Sequence, residues 1–307
     1  MYSFATEQRS FEICGARFGG QPGEYPTVLF GTVCYGRAYQ RLTRERMEEV
    51  KGYISTQAEM SALTGNPGVV DIFIDRVEHV AERIELVASV HDGPISLDIP
   101  EAETRIAALE HCAGTGMLGR VIYNSLNMGL TEAEAEALRA HSPKAAICLA
   151  YNPKDLSTDG RLAILETGAG VLDKGLVAIA SELGMDNVLL DTAATPFDHG
   201  ACEALRAIPV LKHKFGLPVG CAIHNTVESW LWMKDYRKTH QDAYAVCDAG
   251  SSLMPILLGA NFLVYGPMRN CRLVFPAAAM ADKLVAEGAE DYFGVEAAEE
   301  HPRRRLP

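Results

Sequence analysis

The polar residues with chemical potential in this chain recur at one kind of position, the end of a short apolar run. In chain order they are Asp71 and Asp75 around VVDIFI, Asp98 in SLDIP, and Asn124, Ser125 and Asn127 in IYNSLN. Asn152 follows in AYNP, then Asp191 and Thr192 in LLDTAATP, then His224 and Asn225 in AIHNT. The set is rich in carboxylates and amides and holds no Lys or Arg. Carboxylates accept hydrogen bonds and amides both donate and accept, so such a ring suits a neutral ligand rich in donors, for example a heterocycle with amino and ring N–H groups. A phosphorylated or carboxylated ligand calls instead for Arg, Lys or a glycine-rich nest. Asp98, Asp191 and His224 could together hold one divalent ion, a minor alternative to the expectation of no bound metal. Of Cys34 and Cys221, the thiols expected to point into the barrel core, only Cys221 has a base nearby, His224, and it is a weak candidate nucleophile. Each residue also has a plain structural use. Asp98 could cap a helix, Asn152 before Pro153 could set a turn, Ser125 and Thr192 could satisfy backbone groups, and His224 could be a hydrogen-bonded rim residue. The weight lies in successive run ends sharing one chemical character.

These residues act together only if the runs lie side by side. The runs span 27–35, 69–74, 94–99, 120–126, 145–151, 187–193, 218–223 and 262–266, each nearly continuous in apolar residues. That is the pattern of parallel strands buried on both faces. Helical stretches are expected between them at 43–64, 77–90, 101–112, 131–141, 170–183, 199–215, 241–258 and 276–287. Thr131 with Glu134 reads as a capping box, and Gly114, Gly116, Gly184 and Gly216 fall where helices should stop. Eight strand–helix units favour a closed (β/α)8 TIM barrel over an open doubly wound sheet. The segment after the first run, GRAYQRLTRERMEE, lacks the G-x-G-x-x-G fingerprint, and no Walker A motif is present. In a closed barrel the C-terminal strand ends share one mouth, where active sites form.

Two segments fall outside the eight units. Residues 10–26 read as a short hairpin turning at Gly15-Ala16, able to plug the barrel bottom. The stretch from Asn225 to Asn261 reads as two helices. Trp230, Trp232 and Tyr236 lie between them, set for a subunit contact or for packing on the outside of the barrel.

At 307 residues and 48% hydrophobic, the chain is expected to form a single barrel domain over 1–307. A net charge of −12 argues against nucleic acid or an anionic membrane as partner. No run of 18 apolar residues is present and the N-terminus lacks the plan of a secretory signal, so no membrane insertion is expected. Eight scattered cysteines without C-x-x-C read as reduced thiols of a cytoplasmic protein.

GGQPGEYPTVLFGTVCY, TGNPGVVDIFID, RVIYNSLN, AYNPKDLSTDGRLAILE, LLDTAATPF and KFGLPVGCAIHNT, in that order, closely resemble the MtrH family, the H component of tetrahydromethanopterin S-methyltransferase. They also resemble its soluble bacterial relatives, the methyltetrahydrofolate–corrinoid protein methyltransferases of methylamine and glycine betaine demethylation. The resemblance runs from about Phe11 to Pro276. It implies a pterin-binding barrel, a homodimer, and methyl transfer between N5 of a tetrahydropterin and the cobalt of a cobalamin-type corrinoid on a partner protein. By the same resemblance Asp98, Asn124 and Asp191 hold the pterin edge and Asn225 faces N5, with His224 taking part of that role. Asp75 and Ser125 are weaker matches, and Asn152 joins the set as a strand end. The overall likeness to the free-standing bacterial relatives favours tetrahydrofolate as the pterin. Tetrahydromethanopterin is the alternative, and a non-catalytic subunit that binds a pterin or the corrinoid protein is a further one.

Overall fold

The computed structural model describes residues 2–307. Ser10–Ile13 (β1) and Ala16–Gly19 (β2) pair as an antiparallel hairpin. The turn is Cys14-Gly15, one residue before the expected position, and both residues have positive φ, 47° and 83°. That is the two-residue turn whose twist matches paired strands. Eight parallel strands follow: Val28–Val33 (β3), Gly68–Phe73 (β4), Ile95–Asp98 (β5), Val121–Leu126 (β6), Ala145–Leu149 (β7), Val188–Asp191 (β8), Val219–Cys221 (β9) and Phe262–Pro267 (β10). They close into a barrel in sequence order, β10 pairing with both β9 and β3. The closed TIM barrel expected from the eight runs is the observed fold.

Strand alternation explains where the site lies. On the inward face Val28 and Phe30, Val69, Ile122, Ala145 and Ile147, Leu189 and Phe262 form one buried apolar cluster with Ile13, Ala16 and Phe18 of the hairpin. The hairpin therefore plugs the N-terminal end of the barrel. One step of two residues further along, the inward positions become Thr32, Asp71, Asn124, Leu149, Asp191 and Val264. A strand period of two thus carries each strand from an apolar floor to a largely polar mouth on the same face. The outward residues, among them Ile72, Leu97, Cys148 and Leu190, pack under the helices.

The helices are Arg44–Thr64 (α1), Val80–Ala88 (α2), Ala102–Gly114 (α3), Glu132–Ala140 (α4), Thr158–Glu166 (α5), Leu176–Glu182 (α6) and Ala201–Phe215 (α7). Then come His224–Ser229 (α8), Leu231–Tyr236 (α9), Gln241–Ser251 (α10), Leu253–Leu257 (α11), Cys271–Phe293 (α12) and Pro302–Arg305 (α13). The capping box read at Thr131 and Glu134 forms on α4, and Thr43 caps α1 by accepting from the Arg46 N–H. Gly216, with φ 62°, ends α7.

Three helix expectations are corrected. The helix after β7 begins at Thr158 under a Ser157 cap, and a separate short helix starts at Leu176 in place of one helix over 170–183. The segment after β9 holds four short helices in place of two. The last large helix starts at Cys271, with Pro276 inside its first two turns. Pro276 is the sixth residue of that helix, so its missing N–H leaves the Arg272 carbonyl without the usual i→i−4 partner. Phe197, Trp230, Trp232, Tyr236 and His240 form a row of contacting rings, edge-on at Phe197, tilted between the tryptophans and stacked from Trp232 to His240. All eight cysteines are free, and no described helix is long and apolar enough to cross a membrane.

Candidate active site at the barrel mouth

A cavity of about 1310 Å³ opens at the C-terminal end of the barrel, and Asp98, Asn124, Ser125, Asp191, His224 and Asn225 all line it. Asp98 is the last residue of β5 and Asp191 the last of β8, so both carboxyls stand where the strands end. Asn124 lies opposite Asp98 on β6. Such a deep polar mouth over an apolar floor is a common form of ligand site.

The carboxylates are electrostatically unusual. Asp71 sits one layer below Asp98, fully buried, and accepts from the Thr32 hydroxyl at 2.8 Å. Its Oδ1 has no partner among the described residues. Burial raises the Asp71 pKa, against the neighbouring polar groups of Ser96, Thr32 and Asn124, which lower it. Burial, reinforced by the charge of Asp71, holds Asp98 well above the ordinary carboxyl range. Two like charges on adjacent strands in so dry a place resist joint ionisation. Asp71→Asn removes the lower charge, and the Asp98 carboxyl then titrates at lower pH. Carboxyl carbon chemical shifts followed from pH 4 to 9 report this, and an unmoved Asp98 titration refutes the coupling.

Asp191 is pushed up to about 6 by burial, against a hydrogen bond from the Ala193 N–H at 2.7 Å and the charge of Arg161. Arg161, reaching in from α5, is itself buried and donates to the carbonyls of Thr192 at 2.7 Å and of Ala193 and Gly200 at 3.2 Å. It fixes the loop that leaves Asp191. Arg105, on α3, does the same after Asp98. It donates to the Ile99 and Pro100 carbonyls at 2.9 and 2.7 Å and forms a two-pronged ion pair with Glu134 at 2.6 and 3.0 Å. Tyr123 also donates to Glu134. Each site aspartate is thus followed by a backbone turn clamped by a buried guanidinium, whose fixed fork of donors suits paired carbonyls. Neither arginine carries a motif in the sequence.

At the end of β9 the chain turns into α8, and its first two residues face the mouth differently. Asn225 is exposed in the cavity. His224 is buried, and its Nδ1 lies 2.6 Å from Asp248 Oδ1 on α10. Sequence reading missed Asp248, which stands 24 residues on from His224 within an unremarkable helical stretch.

Some expected site residues lie elsewhere. Asp75 does not line the cavity: it pairs with His79 at 2.8 Å and Arg83 at 3.0 Å. Asn152 is buried, donating to the Gly160 carbonyl at 3.1 Å and accepting from the Lys154 N–H at 3.0 Å, and serves the turn before α5. Asn127 reaches the mouth but spends its side chain on Ser125 and Gly129. Thr192 is fully buried off the cavity. Burial also raises the Cys221 thiol far above its usual range, which disfavours the thiolate a nucleophile needs. Asp98, Asp191 and His224 do not form a metal-holding group among the described residues. The strand-end set holds no cation, but cations reach the mouth from other elements. Arg105, Arg237, Lys238 and Arg269 line it, all from helices or loops and none from a strand end within the barrel wall. Arg105 is engaged by Glu134 and Arg237 by Glu228.

A closed parallel barrel with carboxylates and amides at its C-terminal mouth places the chain among (β/α)8 barrels with the fold of dihydropteroate synthases. The Yersinia pestis dihydropteroate synthase superposes with a TM-score of 0.61 at 13% identity, covering 90% of this chain and 98% of that one. The Xanthomonas albilineans enzyme in complex with 7,8-dihydropteroate gives 0.58 at 16%, with 90% and 98% covered. At such identities the likeness is one of fold. Sequence is more specific. Residues 6–298 match the family of the tetrahydromethanopterin S-methyltransferase MtrH subunit, and the chain belongs to that family of methyltransferase subunits. The MtrH protein of this enzyme from Methanothermobacter marburgensis is 42% identical over 311 residues, covering all of both chains. The corresponding H component of a putative mtx methyltransferase from Methanosarcina mazei is 38% identical, covering 98% of each.

Proposed function

We propose that this chain transfers a methyl group between N5 of a tetrahydropterin and the corrinoid cobalt of a partner protein, and that it works as a homodimer. The observation that carries the pterin is the convergence of Asp98, Asn124 and Asp191 in one deep mouth. A pterin edge presents a ring N–H and an amino group side by side, donors that suit buried carboxylates, while Asn124 meets its mixed donor and acceptor pattern. Sequence likeness alone leaned to tetrahydrofolate. The relatives named as tetrahydromethanopterin enzymes, matched along their whole length, favour tetrahydromethanopterin as the substrate.

With the pterin edge on β5, β6 and β8, its N5 faces the end of β9. Asn225, exposed there, can donate to N5 or accept from it as the methyl leaves or arrives. The barrel's own task is to hold N5 in line with the incoming cobalt centre, a proximity effect. Asn225→Ala is expected to keep pterin affinity within about threefold while kcat falls about 10²- to 10³-fold. Normal turnover by that variant removes the assignment.

The deciding assay mixes purified protein, methylcobalamin and either tetrahydromethanopterin or tetrahydrofolate without oxygen, following cobalamin absorbance. Loss of methylcobalamin that needs both protein and tetrahydromethanopterin supports the reading. Faster loss with tetrahydrofolate reverses the choice of pterin, and tight pterin binding without transfer, even with methylated corrinoid protein, points to a binding subunit.

A further inference from the structure

The buried pair behind Asn225 has a geometry that the binding of a pterin edge does not call for. His224 Nδ1 sits 2.6 Å from Asp248 Oδ1, and the other oxygen of Asp248 accepts from Asn270 Nδ2 at 3.0 Å. Asp248 is itself buried and both its oxygens are engaged. An ionised carboxylate only accepts, so the proton of the neutral imidazole belongs on Nδ1 and the lone pair on Nε2. That Nε2 has no hydrogen-bond partner among the described residues and is not sealed from the cavity that His224 lines. The ring reaches this place because residue 266 has no side chain. A Cβ on Gly266, at φ +79°, would lie 2.3 Å from His224 Cδ2 and 2.5 Å from Nε2. The other charged groups around the ring are already matched. Glu228, along the same helix, is bound by Arg237 at 2.7 Å and by the Tyr244 hydroxyl at 2.6 Å.

We propose that His224 Nε2 carries the proton of N5 during methyl transfer, with Asp248 and Asn270 as positioning residues that set the tautomer and aim of the ring; the proposal rests on the tetrahydropterin reading above. In the direction that demethylates the pterin, imidazolium Nε2–H gives its proton to the N5 lone pair. The nucleophilic corrinoid supplies the electron pair of the new bond to the methyl carbon, the C–N pair returns to N5, and N5–H and neutral His224 remain. In the other direction the neutral amine N5–H attacks the methyl group, the leaving pair stays with the corrinoid, and Nε2 takes the proton from the methylated N5. Asp248 holds Nδ1–H throughout and stabilises the imidazolium without becoming protonated. Asn225 beside it orients N5, so amide and imidazole divide the work: one positions, the other exchanges a proton.

Asp248→Asn keeps the size of the side chain but can present an N–H to Nδ1, which places the ring proton on Nε2 so that Nε2 no longer accepts. The expected result is a loss of kcat of at least about 10-fold with tetrahydropterin Kd, measured by calorimetry, within about threefold of wild type. His224→Gln, which keeps a polar tip but exchanges no proton, gives the same split and guards against a fault peculiar to the first variant. Wild-type kcat in both variants overturns the assignment while leaving the pterin reading intact. Kd and kcat falling together in both overturns it as well, since that is the mark of a purely structural contact. A wild-type protein that neither binds a tetrahydropterin nor transfers a methyl overturns the underlying reading, and the role of His224 with it.

Discussion

Asp191→Asn is expected to weaken tetrahydropterin binding by about 10²- to 10⁴-fold while leaving the barrel folded. The size follows from the contact. One oxygen of Asp191 is held by the Ala193 N–H at 2.7 Å, and the carboxyl lines the cavity, where the proposed pterin would donate to it. Two charge-assisted hydrogen bonds at about 1.5–3 kcal/mol each give that range, and the amide group of Asn would face donors with a donor. The same residue predicts a pH dependence. Burial pushes its pKa up to about 6, and the ligand needs the carboxylate. Affinity is therefore full above about pH 6 and falls about tenfold for each pH unit below it, as calorimetry at pH 5 and 7.5 would register. Equal affinity at both values refutes the role. Stability runs the other way. Because the folded pKa exceeds the unfolded one, the contribution of Asp191 to stability is fully present below about pH 4 and is lost as pH rises through about 6. Near pH 8 the buried charge costs about 1–3 kcal/mol, so Asp191→Asn should melt higher than wild type there and show no gain at pH 4. A site residue that destabilises its own fold is one whose place is explained by the ligand.

Arg105→Met is expected to lower stability by about 3–5 kcal/mol, because it leaves the Glu134 carboxyl without its guanidinium partner in a dry place. Glu134 is fully buried, and the pair spans α3 and α4. The double variant Arg105→Met, Glu134→Leu should lose less than the two single variants combined, since it removes both charges together. It will not reach wild type, for Tyr123 loses its acceptor and Thr131 its capping-box partner. Urea unfolding of the four proteins completes the cycle, and additive losses would show that the pair is not coupled. In the single variant the Ile99 and Pro100 carbonyls also lose their clamp, so the turn after Asp98 loosens and KM for the pterin should rise about tenfold.

What sequence made legible depended on short-range order. Eight apolar runs with polar ends were enough for a closed barrel, because strand period and parallel crossovers leave few ways to bury such runs. They were also enough to bring Asp98, Asn124, Ser125, Asp191, His224 and Asn225 to one mouth, because closure gathers every C-terminal strand end whatever lies between. Asp75 and Asn152 stand at the same kind of position and do not reach that mouth. Asp75 lies two residues past the end of β4, where the partner is chosen by the approach of α2, and the turn around Asn152 folds its amide back onto Gly160. The absence of cations at strand ends was a true statement about the strands, yet Arg105 and Arg161 arrive from helices to hold the turns after the two key aspartates.

The chain alone therefore determined the barrel, its plugged floor and the donors and acceptors of its mouth, all set by a period of two along each strand and by the order of the strands. Tertiary packing decided the proton chemistry. The raised carboxyls of Asp71 and Asp98 arise from burial and from a neighbour on the adjacent strand, and His224 acquires Asp248 only when α10 folds back over the mouth. Dielectric and distance act across space between residues far apart in the chain, and no local pattern of side chains records them.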